Sequence, residues 1–77
     1  MMFLVTVETK LGTRYVVIPA RTVKAADNFA RDCAFTAATR AGVEKARATA
    51  VQVPAAKVRR PNAWSANLAD VVIGGVP

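Results

Sequence analysis

The sequence predicts a small α+β domain in which an antiparallel sheet carries one helix on one face. Three observations lead to it. Two β-branched runs near the N-terminus are joined by a short glycine-containing link. An alanine-rich segment of helical period follows, with capping residues at both ends, and a second alternating run begins at residue 47. The order is β-β-α-β, with a last segment that also reads as a strand, and one helix over one antiparallel sheet is the economical arrangement.

Phe3, Val5 and Val7 fall on one side of the first strand, and Leu4, Thr6 and Glu8 on the other. Arg14 to Ala20 form the second strand, and Lys10-Leu11-Gly12-Thr13 joins the two into a hairpin over residues 3–20. Gly12 is free to take positive φ at a hairpin bulge. If Phe3, Val5, Val7, Tyr15 and Val17 take one face, Leu4, Thr6, Val16 and Ile18 share the other. Pro19 lacks an amide donor and marks the end of the strand.

Thr22 has the chemistry of an N-cap and Gly42 that of a C-terminal cap, which bounds a helix over 22–41. Val23, Ala26, Phe29, Ala30, Cys33, Ala37 and Ala41 gather on one side of it. Lys24, Asn28, Arg31, Asp32 and Thr39 gather on the other. The alanines let the helix approach the sheet closely. Phe29 is the one large anchor on that side, and if fully buried its truncation to alanine costs roughly 3–5 kcal/mol. Phe35 falls on the polar side; an aromatic there is either an ordinary exposed residue, a contact with another subunit or a partner, or a sign that the helix is buried on two sides.

The third strand covers 47–53, with Val51 and Val53 on one face, although Glu44 to Ala46 could instead prolong the helix. Residues 54–67 hold two prolines, three positive charges and the only tryptophan, and read as an irregular basic arm. Leu68 to Ile73 close the chain as a final strand, or as a short helix capped by Ser65. Gly74-Gly75 stops it.

The totals constrain function. Seventy-seven residues make one domain, and 53% hydrophobic content excludes a disordered basic tail. Sixteen of those residues are alanine, so the core is thin for its length. A lone Cys33 and the absence of histidine remove disulfide and zinc staples, so no metal and no cofactor is expected. The start lacks the pattern of a signal peptide and no apolar run reaches membrane-spanning length, which points to a cytoplasmic, non-membrane protein. Both sheet faces are apolar, so the C-terminal segment or a second copy is expected to cover the one the helix leaves. A homodimer is the favoured state, with Phe35, Arg31 and Ile18 at the contact.

Catalysis finds little hardware. Without histidine, a base would have to come from Glu8, Asp27, Asp32, Glu44 or Asp70; Asp27 and Asp32 point apart on the helix. Cys33 sits in the apolar stripe, where burial keeps it a thiol. No glycine loop leads into a helix to cradle phosphate. The chain is therefore expected not to be an enzyme.

The strongest positive signal is the run Lys57, Arg59, Arg60 and Trp64. Guanidinium groups beside an indole suit phosphates and stacked bases, and equally suit a carboxylate-rich protein surface. The alternative for this run is a tryptophan folded into the core beneath solvated charges. The reading is a small non-catalytic binding module, of the phage-type accessory kind by composition. Its acidic partner is a protein or a nucleic acid. A self-assembling structural protein is the alternative.

Overall fold

The computed structural model describes residues 1–42 and 45–74. Strands β1 (Met2–Thr9), β2 (Gly12–Pro19) and β3 (Arg47–Val53) form one antiparallel sheet in the order β2-β1-β3. Helix α1 (Val23–Ala41) packs over β1 and β3. The α+β architecture with one helix on one sheet face is the expected one, and the bounds of β3 match the alternation of 47–53.

The helix ends where its capping chemistry says it should. The Thr22 hydroxyl accepts from the Ala25 amide at 3.1 Å, and Gly42 takes the left-handed conformation (φ 65) that closes the last turn. Ala26 and Ala30 are fully buried, while Phe29, Cys33 and Ala37 pack half-buried against the same core. Val23 departs from the expected stripe: it is 56% exposed. Lys45 and Ala46 are not helical; Val43 and Glu44, including the carboxylate considered above, lie outside the described residues.

The hairpin corrects the expected pairing. Register is continuous from Met2↔Pro19 to Thr9↔Gly12, so Lys10 and Leu11 alone make the turn and no bulge residue intervenes. Gly12 does take positive φ (145), and the Thr9 hydroxyl accepts from the Leu11 amide at 3.1 Å. A one-residue change in register turns every side chain of a strand to the other face. Val16 and Ile18 therefore join Phe3, Val5 and Val7 under the helix, and Tyr15 and Val17 face away with Leu4. Ile18, 8% exposed in the helix-side core, does not lie on a free face where a second copy would meet it. The observed arrangement leaves two β-branched side chains under the alanines and lets Tyr15 stay half-buried.

The second face is closed by the chain itself. Leu4, Val17 and Val53 are buried against Val71 and Val72, with Val58 and Leu68 packed around them. This removes the uncovered face as a reason for a second copy. The segment responsible is not the fourth strand expected over 68–73. Leu68–Asp70 is a 3₁₀ turn whose first amides are capped by Asn67, and only the bridge Val58↔Val72 is strand-like. The reason lies in two adjacent valines that are both buried, 0% and 1% exposed; a strand laid over the sheet with solvent on its far side would send one of them outward.

Candidate functional site

Residues 54–67 are irregular, as expected, and fastened to the fold at two places. After a 3₁₀ turn at Ala55–Lys57, the backbone around Val58 pairs with Val72: the Arg59 amide donates to the Val71 carbonyl at 2.8 Å, and Ile73 to Lys57 at 2.7 Å. Farther on, the arm runs along the outer edge of β2. Asn62 donates to the Val17 carbonyl at 2.8 Å, and Ser65 and Tyr15 exchange two bonds at 2.8 and 2.9 Å. Asn62 sits at φ 62, a left-handed conformation that asparagine tolerates better than most residues, and it turns the chain onto this edge.

That path separates the residues grouped by sequence. Lys57 and Arg59 flank half-buried Val58 and their side chains are exposed, as is that of Arg60. Trp64 is reached only after the turn at Asn62. Its indole is 47% exposed and is not the core plug considered above. It lines an open groove of about 800 Å³ between α1 and the turn end of the hairpin. None of Lys57, Arg59 and Arg60 lines this groove. Arg14 from β2 and Arg40 from the last turn of α1 do, over apolar surface from Val7, Leu11, Phe29 and Ala37.

Among the described residues, Asp32 is the one carboxylate on the lining. Cys33 lies beside it, and burial, with a smaller contribution from the Asp32 charge, pushes its thiol above the usual range. It is held as a packing residue rather than a thiolate. Among the described residues no three metal-ligating side chains come together, and none of the side-chain hydrogen bonds uses a lysine or arginine. Among the described residues, no helix is long and apolar enough to cross a membrane.

Phe35 is 76% exposed, on the polar side of α1 where the periodicity places it. It lines a second groove of about 1030 Å³ on the opposite flank of the helix, with Lys10, Ala38, Lys45 and Arg47. Arg31 is exposed on the same helix. The partnership of Trp64 with Arg14 and Arg40 was beyond sequence reasoning, because it depends on the return of the arm along β2. Arg14 at the hairpin turn and Arg40 near a helix end are unremarkable locally. A comparison of the chain with protein-family models, curated proteins and solved structures finds no match.

Proposed function

We propose that this protein is a non-catalytic binding module for an acidic partner, with the Trp64 groove as its contact surface. The observation that carries the reading is a half-exposed indole held between two bonded neighbours, Asn62 and Ser65, in a groove flanked by Arg14 and Arg40. Tryptophan and arginine are the residues that most often dominate interface energetics, and a backbone fixed before binding lowers the ordering cost. Lys57, Arg59 and Arg60 lie outside the groove and act at longer range. With the other basic residues they give the net charge of +6 that draws an acidic partner in.

An acidic protein segment with an apolar side chain fits better than nucleic acid. The groove is mostly apolar and offers two guanidinium groups, one of them on the same helix as Asp32. A phosphate backbone calls for a continuous row of positive charge, with several contacts per site.

The test is capture from lysate with and without nuclease, followed by titration of the purified partner against salt. A nuclease-resistant partner is expected, bound more weakly as salt rises. Trp64→Ala and the double variant Arg14→Ala/Arg40→Ala are each expected to lose more than about tenfold in affinity. Arg59→Ala/Arg60→Ala should slow association with a smaller loss. Capture lost on nuclease treatment would favour nucleic acid instead. Affinity unmoved by salt and by the groove variants would remove the reading.

A further inference from the structure

The two edges of the sheet are not equivalent. On β2, the backbone groups of Tyr15 and Val17 point outward, and the arm takes both groups of Tyr15 and the carbonyl of Val17. Hydrogen bonds alternate along an antiparallel pair, so Arg14, Val16 and Ile18 bond inward to β1; the bond from Ala20 to the Met1 carbonyl continues that phase. The even-numbered residues of β1 therefore serve β3, and on β3 they engage Arg47, Thr49, Val51 and Val53. The amides and carbonyls of Ala48, Ala50 and Gln52 are left pointing out of the sheet. Among the described residues nothing bonds to them.

This edge lacks the usual protections. β3 has no proline, no bulge and no charge between Arg47 and Val53, and two of its seven residues are alanine. The groove holding Phe35 meets this edge at its Arg47 end, where Ala34, Phe35 and Ala38 of α1 share it with Glu8, Thr9 and Lys10 of the hairpin and with Arg47. The exposed aromatic thus stands near one end of the free edge.

We propose that this flank is a self-complementary surface that pairs with a second copy of the chain, β3 against β3, to make a continuous six-stranded sheet. The register that overlaps all seven residues of β3 is centred on Ala50, with Ala48 opposite Gln52 of the second copy. It joins the outward groups of all three residues. It sets Thr49 opposite Val51, a β-branched pair, and Arg47 opposite Val53, so no like charges meet across the strands. Because α1 lies over β1 and β3, strands about 4.8 Å apart bring the two helices to roughly 10 Å, an ordinary helix-packing distance. Small Ala34 and Ala38 permit that approach, and the two Phe35 rings, on the outward side of α1, cover the outer rim of the helix contact.

A second copy fits this flank better than an acidic partner does. Lys10, Lys45 and Arg47 stand at one end of it, and the two-fold axis sends the two sets to opposite ends of the interface. Each chain carries +6, so added salt strengthens this association, whereas it weakens the binding proposed for the Trp64 groove.

Sedimentation equilibrium, together with amide hydrogen exchange at several protein concentrations, tests the pairing. At tens to hundreds of micromolar the expected mass is twice the 8.2 kDa of the chain. Exchange at Ala48, Ala50 and Gln52 should slow as concentration rises. Phe35→Arg is expected to weaken dimerisation at least about tenfold with the circular dichroism spectrum unchanged, because the side chain is exposed in the single chain. Ala50→Pro removes one outward amide and should act in the same direction. A monomer throughout this range overturns the proposal. So does a dimer in which the three amides exchange as fast as at dilution, or one that Phe35→Arg leaves intact.

Discussion

On one face of the sheet, a 19-residue helix brings two fully buried alanines, Ala26 and Ala30, to Phe3, Val5 and Val7. On the other, an irregular segment brings two fully buried valines, Val71 and Val72, to Leu4 and Val17. Each face holds five large buried side chains, worth about 1.5–3 kcal/mol apiece. Among fully buried side chains, the regular element thus supplies smaller ones than the segment with almost no regular structure. In a chain of 77 residues, neither cover is dispensable.

The largest effect is expected where the irregular cover is broken. Val72→Asp places a carboxylate at a site 1% exposed and removes the valine methyls that pack against Leu4 and Val17. The cost should exceed about 4 kcal/mol, enough to unfold a domain of this size at room temperature. Chemical denaturation followed by circular dichroism measures it. A change of less than about 0.5 kcal/mol would mean that the segment rests on the sheet without closing the core.

The helix-side core gives the next comparison. Phe3→Ala should cost about 3–4 kcal/mol at a position 1% exposed. Phe29→Ala should cost about 1–2 kcal/mol, less than full burial implies, because that ring is half-buried and lines the Trp64 groove. Equal costs at the two positions would show that the groove is closed in solution.

The helix cover was legible in advance because its signals are local. Thr22, Gly42 and the 3.6-residue spacing of the alanines need no knowledge of the rest of the chain. Alternation likewise picks out β3 and Pro54 its end, while Glu44 to Ala46 leave its start open. The register of the hairpin was not legible, because Gly12 suits both a bulge and a direct partner of Thr9, and the choice turns on which β2 face the helix covers. The course of residues 58–72 was hidden for a related reason. Val71 and Val72 look like a strand until both are required to face inward, a requirement set by Leu4 and Val17 more than 50 residues earlier. The candidate site inherits that difficulty: Trp64 and Phe35 stand out individually as aromatics, but Arg14 and Arg40 join Trp64 only through the path of the arm.

Each cover also has a polar pin, and the pins provide the finer comparison. Thr22→Ala removes the cap on the Ala25 amide and should cost about 1 kcal/mol, read as a lower denaturation midpoint with the fold unchanged.

Ser65 does the corresponding work in the arm. Its hydroxyl donates to Asp70 at 2.7 Å and accepts from the Asn67 amide at 3.0 Å, while its backbone holds the edge of β2 beside Tyr15. Ser65→Ala keeps the backbone pairing and removes both side-chain bonds, so its stability cost should be smaller, about 0.5–1 kcal/mol. Its effect on Trp64 should differ in kind from that of the helix cap. The residue next to the indole loses its tie to the turn at Leu68–Asp70, and the ring gains freedom over the groove. Tryptophan fluorescence anisotropy on the folded protein separates the two pins. Ser65→Ala should lower it and Thr22→Ala should leave it unchanged. If both variants leave the indole equally fixed, Trp64 is held by the groove itself, and the preorganisation argued for binding resides in Phe29, Leu11 and Arg14 rather than in the arm.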